Sequence, residues 1–271
     1  MHYPCDVKNA VEIQTVYTAF NQHFAKDFSF NGESHDFWET VFVLDGKVGI
    51  TADNDVYSLG SGQMLFHKPM EFHRIRSEGG TEPTVIIFSF SASDMPKLKK
   101  RVYAVPEEGL EEVKAVLDMT SGAFVNTDGR FHIGDGKELE ARLALKRLEV
   151  LLLTVILGDE TEEIREISKG TESYRRIVDT MKKNIGKMLS VDDIAKLCSM
   201  SRSNVKRVFA KYSGMGVIEY FNDMKVKRAK KLLREGMSIK EVSLALGFYN
   251  QNYFSTMFKR IDGVSPGKYK T

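Results

Sequence analysis

Apolar positions along the chain change their spacing after the first hundred residues. From about residue 24 to 90 they come in short bursts. Phe37 to Leu44 is rich in aromatic and β-branched residues and ends at Asp45-Gly46, a pair suited to a hairpin turn. Val48 to Ala52 alternates, Asp53-Asn54-Asp55 turns the chain, and Val56 to Leu59 resumes before Gly60-Ser61-Gly62. Met64 to His67 and Val85 to Phe90 continue the pattern. Short strands at this spacing predict a small antiparallel barrel or sandwich over about residues 20–95.

Beyond about residue 107 the spacing becomes helical. Leu110, Val113, Val116 and Leu117 suit a short helix. Glu138 to Leu157 predicts a longer amphipathic one, with Leu139, Leu143, Leu145, Leu148, Leu152, Val155 and Ile156 on its apolar band. That band either packs on its own barrel or forms a dimer seam, for which Leu145, Leu148 and Leu152 are the candidates. The charged stretch from Gly158 to Gly170 reads as a linker. The expected organisation is a first domain over 1–165 with helices at about 107–157, a linker over 166–173, and a second domain over 174–271.

The second domain contains an internal repeat, which decides its fold class. Ser190 to Ala195 (SVDDIA) matches Ser238 to Ser243 (SIKEVS) at an offset of 48. Further on the offset is 49: Val205 matches Phe254, Phe209 matches Phe258, Gly214 matches Gly263 and Tyr220 matches Tyr269. Each copy opens with a capping box, Ser190 with Asp193 and Ser238 with Glu241. A short helix, a tight turn with Gly247 free to take a positive φ, and a second helix complete each copy. These are helix-turn-helix units, at about 190–212 and 238–260. The outward face of the second helix enters the major groove in such a unit. In the first copy that face offers Arg202, Ser203, Asn204, Lys206, Arg207 and also Lys211; in the second it offers Asn250, Gln251, Asn252, Ser255, Thr256 and Lys259. Arg, Asn and Gln match the forked donor and acceptor patterns of base edges. Asn250 has a second candidate role as an N-cap. Between the units, Lys225, Lys227, Arg228, Lys230 and Lys231 form a basic run that is either solvated or turned to phosphates.

Charge supports this division. The net charge of +2 conceals 21 Lys+Arg against 9 Asp+Glu in residues 171–271, and 18 against 28 in residues 1–170. Only the second part is built to meet a polyanion. Two distant cysteines, Cys5 and Cys198, predict thiols in a reducing cytoplasm and no zinc site. No export signal and no membrane-spanning run is expected.

Residues 174–270 resemble the DNA-binding domain of the AraC/XylS family of transcription regulators. The resemblance rests on Gly247-Phe248, Tyr253-Phe254, Phe258-Lys259-Arg260 and Gly263-Val264-Ser265-Pro266. It implies two units along one face of double-stranded DNA, joined by a long helix. Ser243 and Cys198 stand where alanine is usual, and Lys225 and Lys270 where arginine is commoner.

In the first domain His35-Asp36-Phe37-Trp38-Glu39 followed by Gly46 resembles the first half of a cupin motif, and Pro69 with His73 the second half. Strand alternation puts His35 and Glu39 on one face and Trp38 on the other. A metal-binding cupin has a further histidine two positions before His35, where this chain has Glu33, so no metal and no cofactor is expected. Glu33, His35, Glu39 and His73 then line a pocket for a small polar organic effector, while His67 and His23 are either part of that inner set or surface residues. The expected fold is α+β in two domains, an N-terminal cupin-like antiparallel barrel with helices and a C-terminal all-α double helix-turn-helix domain. The expected function is a cytoplasmic, homodimeric, effector-responsive regulator that meets RNA polymerase if it activates, and is not an enzyme. Two alternatives stay open: a cupin-type enzyme fused to a DNA-binding module, or a constitutive regulator whose barrel only dimerises.

Overall fold

A computed structural model of the chain describes residues 10–158 and 168–269, the side chain of Glu108 excepted. Its contacts divide it into two units. One holds the residues up to Arg165 without Phe30–Gly32 and Asp53–Val56; the other holds those two segments and Glu166–Thr271. Most of the expected linker, residues 159–167, lies outside the described residues.

The first unit has strands β1 (Glu12–His23), β2 (Trp38–Asp45), β3 (Lys47–Ala52), β4 (Asp55–Gly60, its first two residues counted with the other unit), β5 (Gln63–His67), β6 (His73–Ser77), β7 (Thr84–Ser93) and β8 (Val102–Ala104). They form an antiparallel five-stranded sheet, β1-β7-β2-β5-β8, and a three-stranded sheet, β4-β3-β6. Alternation sorts their side chains. Val41, Val43, Leu65, Val85 and Ile87 pack with Val48, Ile50, Tyr57 and Leu59 of the small sheet. Their neighbours Phe42, Met64, Phe66, Ile86 and Phe88 point the other way, into a second core. That core is closed by α1 (Glu107–Ala123) and α2 (Glu138–Gly158), which contribute Val113, Val116, Leu148, Leu151, Leu152 and Val155. Between the helices lies a hairpin of β9 (Phe124–Thr127) and β10 (Arg130–Ile133), turning at Asp128-Gly129 with both residues at positive φ.

Strand β1 departs from the sequence expectation, which starts the barrel near residue 20. Its buried positions, Ile13, Val16 and Ala19, are spaced by three and not by two. The pairing with β7 shifts register between Ile13 and Thr15 and again between Val16 and Thr18. Each bulge inserts a residue and breaks the alternation that would have marked a strand.

Helix α2 resolves the two readings of its leucines. Leu148 and Leu152 are 1% and 0% exposed inside their own domain, and Leu145 is half-buried against the same core. This corrects their assignment as an external seam. The exposed apolar positions of α2 are instead Leu139, Leu143, Val150 and Leu157. Their spacing of four, seven and seven residues puts them on one line along the helix.

The second unit has α3 (Lys169–Lys183), α4 (Val191–Leu197), α5 (Arg202–Ser213), α6 (Val217–Arg234), α7 (Ile239–Ala245) and α8 (Gln251–Asp262), then a short 3-10 turn over Pro266–Tyr269. Helix α3 begins within the stretch expected to be linker, because Ser168 and Thr171 form a capping box there. The cores of the two helix-turn-helix units flank α6. Tyr174, Phe209 and Tyr220 pack ring on ring in the first, with centroids 5.4 and 5.1 Å apart. Val226, Ala229, Leu233, Val242, Phe254 and Phe258 build the second. Among the described residues no helix is long and apolar enough to cross a membrane.

Candidate functional site

The repeat in sequence becomes a repeat in structure. Ser190 accepts from the Asp193 amide and Ser238 from the Glu241 amide, each acid answering to the cap's own backbone N–H. The turns after α4 and α7 each put one residue in the left-handed region: Ser199 at φ 53° and Gly247 at φ 79°. Ser199 is exposed and bears a side chain there. Gly247 must stay bare, because a Cβ built on it would overlap the Gly186 carbonyl and lie 3.0 Å from the Lys187 Cα.

Each turn delivers a capped recognition helix. Ser201 caps α5, accepting from the Asn204 amide. Asn250 caps α8, its Oδ1 accepting from the amides of Asn252 at 2.8 Å and Tyr253 at 3.2 Å. Capping thus occupies the Asn250 oxygen and leaves only its amide nitrogen for other contacts. On α5, Arg202, Ser203, Lys206, Arg207 and Lys211 are exposed and Asn204 is half-buried. The Arg207 guanidinium donates to Asn204 Oδ1 at 2.7 Å, and Arg202 pairs with Asp192 at 3.0 Å. On α8, Gln251, Asn252, Thr256 and Lys259 are exposed and Ser255 is half-buried. Tyr249 and Tyr253, 98% and 55% exposed beside the start of α8, were not singled out as surface residues by sequence. Their signal was two aromatics flanking a polar N-cap.

The basic run on α6 corrects its sequence reading. Lys225 is fully buried, and its ammonium donates to three backbone carbonyls: Ile185 at 2.6 Å, Lys187 at 2.8 Å and Leu246 at 2.5 Å. Burial lowers its pKa to about 8, which leaves it charged at neutral pH. Lys225 therefore ties the loop before α4 to the turn after α7 and does not face phosphates. Lys227 pairs with Asp223, and Lys230 with Asp262. Arg228, Lys231 and Arg234 stay exposed.

In the barrel the pairing register gathers the second site. Glu39 on β2 stands opposite His67 on β5 and Ser89 on β7. Its odd-numbered neighbours Val41 and Val43 show that this face looks inward, and Trp38 packs on the opposite, helical side. His73 opens β6 and bridges in register to Glu33. His35 precedes β2, so it reaches Glu39 from a loop and not by strand alternation. The four groups expected from sequence do converge: one ligand-type atom each from Glu33, His35, Glu39 and His73 lies within 4.8 Å of the others. Burial opposes the charge on Glu39, but the surrounding His35, His73 and His67 outweigh it and bring its pKa to about 2. Burial, helped by His67, lowers His73 to about 3, whereas Glu33 is raised by its own desolvation and by Glu39. Burial and its neighbours thus hold Glu39 toward the ionised form and His73 toward the neutral form.

Of the two readings open for His67, the structure takes the inner one: it is 1% exposed. Its Nδ1 lies 3.0 Å from Glu71, which pairs with Arg101, and its ring stacks on His73 at 4.3 Å. Alternation from Leu65 carries the signal that would have found it. His23 lies at the surface, with a side chain 63% exposed.

Comparisons with known proteins agree with both halves. Residues 194–271 match a helix-turn-helix domain model, and residues 20–118 match a model described as an AraC-like ligand binding domain. The Msm operon regulatory protein of Streptococcus mutans is 28% identical over 257 residues, 90% of this chain and 88% of that one. The HTH-type transcriptional activator RhaS of Pectobacterium carotovorum is 23% identical over 95% of this chain and 90% of its own. The crystal structure of ToxT from Vibrio cholerae O395 aligns over 97% of each chain at 16% identity, with a TM-score of 0.38. A ligand-binding domain followed by two capped reading helices, with relatives that are regulators over nearly their whole length, makes this chain a member of the AraC family of transcription regulators.

Proposed function

We propose that this regulator works in the cytoplasm as a homodimer, reads DNA through α5 and α8, and answers to a small polar ligand held in its barrel. The observation that carries the reading is the pair of capped helices with exposed Arg, Lys, Asn and Gln, in a domain with a large positive charge excess. The readers dock in successive major grooves about one helical turn, roughly 10 bp, apart. Arg207, presented by Asn204, pairs with a base; Lys206 and Lys259 neutralise phosphates; Gln251 and Asn252 read the second groove. Tyr249 and Tyr253 lie beside that second contact. The second copy of the chain covers the stripe of Leu139, Leu143, Val150 and Leu157, whose spacing is that of a paired-helix seam. Where the promoter is activated, RNA polymerase is the next partner. No catalytic role is assigned to the barrel.

Binding titrations of variants against the native site and its single-base changes, at several salt concentrations, test the assignment. Arg207→Ala costs about 1–3 kcal/mol and relaxes choice at one base position. Thr256→Ala costs less. Lys259→Ala weakens all sequences alike and reduces the salt slope by about one. A uniform loss for Arg207→Ala, or a larger loss for Thr256→Ala, refutes these roles.

A further inference from the structure

We propose that Glu33, His35, Glu39 and His73 hold one divalent first-row transition-metal ion. This names an occupant for the barrel pocket and rests on the reading of that pocket as a ligand site. It also reverses the expectation, drawn from Glu33, that the site takes no metal.

The argument starts from protons. His35 Nδ1 lies 3.1 Å from the Phe37 carbonyl, and His73 Nδ1 lies 3.2 Å from the Glu71 carbonyl. A carbonyl only accepts, so each Nδ1 carries the hydrogen and each Nε2 presents a lone pair. Both Nε2 atoms are buried, and neither meets a hydrogen-bond partner among the described residues. What they face are carboxylates, which also only accept. His35 Nε2 is 3.6 Å from Glu39 Oε2; His73 Nε2 is 3.4 Å from Glu39 Oε1 and 3.8 Å from Glu33 Oε1. Four acceptors turned toward one another in a mostly buried site repel unless a cation lies among them.

Protonating the imidazoles does not resolve this. A charge-assisted N–H···O bond closes to about 2.7–2.9 Å, well inside these separations. Three separations of 3.4–3.8 Å, in a set whose four atoms lie within 4.8 Å of one another, come near the edge of roughly 3.4 Å that a tetrahedron with metal–ligand bonds of about 2.0–2.1 Å has, so an ion draws the groups together by small side-chain shifts. Further groups hold the donors in place. Ser89 Oγ donates to Glu39 Oε2 at 2.9 Å and receives from Thr18 Oγ1 at 2.7 Å. The His35 ring stacks on Phe37 at 3.7 Å, and His73 on His67 at 4.3 Å. Metal-binding histidines are oriented through the other ring nitrogen in this way. Two imidazoles and two carboxylates suit zinc, manganese, iron, cobalt or nickel, and Glu33 contributes an oxygen where a third imidazole would otherwise serve.

The test uses the full-length, tag-free protein stripped with chelator and titrated with Co2+, then Zn2+. We expect one Co2+ per chain with visible d–d absorption, displaced by one Zn2+, and a raised melting temperature with either ion. Glu33→Gln, at a half-exposed side chain, keeps the metal-free melting temperature but weakens Co2+ binding by more than about tenfold. His73→Gln removes the absorption; should that variant fail to fold, Glu33→Gln alone decides. Absence of stoichiometric uptake, or uptake unchanged in Glu33→Gln, overturns the metal site. A parallel thermal-shift screen of polar organic compounds on the stripped protein separates the two readings. Stabilisation by such a compound in a protein that takes up no Co2+ sinks the metal and leaves the pocket; stabilisation by neither sinks both.

Discussion

Replacing Lys225 by methionine keeps most of the side-chain volume and removes the ammonium. Three carbonyls, at Ile185, Lys187 and Leu246, then lose their donor. The Leu246 bond is buried, so its carbonyl cannot turn to water, whereas the other two are only partly buried and recover some hydration. A buried acceptor left without a donor costs about 1–3 kcal/mol, and a hydrogen bond to a charged group is worth about 1.5–3. Contacts of the ammonium over the Phe221 and Phe248 rings, at 4.8 and 5.1 Å, are lost as well. Desolvation of the charge runs the other way and is regained by the variant. The net expectation is a loss of about 3 kcal/mol, or roughly 12–24 °C in the melting of a domain this size. Calorimetry of the full chain checks it, with Lys231→Met as control. Lys231 is 66% exposed and 3.9 Å from Glu235, so its replacement should shift melting by no more than about 0.5 kcal/mol. If Lys225→Met melts within about 4 °C of the parent and only flattens the salt dependence of DNA binding, the lysine faces phosphates after all.

Two further expectations concern the scaffold. Gly247→Ala combines a strained positive φ with overlap on the Gly186 carbonyl and should cost more than about 2 kcal/mol, while Ser199→Gly at the equivalent turn changes stability by less than about 1; equal effects in chemical denaturation would refute the close approach. On α2, Leu143→Glu with Val150→Glu should give folded monomers by sedimentation, and Leu148→Glu should unfold the first unit by burying an unpaired charge. A double variant that stays dimeric removes the proposed seam.

The reading units were legible because local chemistry and tertiary need coincide in them. Ser190 and Ser238 cap their helices by rules that act within four residues, and Gly247 advertises a positive φ. Lys225 was illegible for the opposite reason. In sequence it is one of five basic residues, and only carbonyls from segments 38 and 21 residues or more away give it a buried role. Helix α2 shows a third limit. Its leucines run most of the way round, so the period identifies a helix but not which leucines meet their own domain. In the barrel, alternation correctly set Glu39 against Trp38, yet missed β1, whose bulges destroy the period, and did not follow β5 as far as His67. Glu33 gives no signal in a motif that looks for histidine, yet the structure brings its carboxylate to within 4.8 Å of the other three groups.

The lysine clamp between the loop before α4 and the turn after α7 has a consequence for the promoter. On the proposed reading it fixes α5 and α8 as one body whose two DNA contacts carry unlike side chains. One copy therefore recognises a sequence that reads differently forwards and backwards, and its site has a heading. Inverting that site would reverse the order in which α5 and α8 lie relative to the gene. Adding about five base pairs between site and start point would carry it to the far side of the double helix.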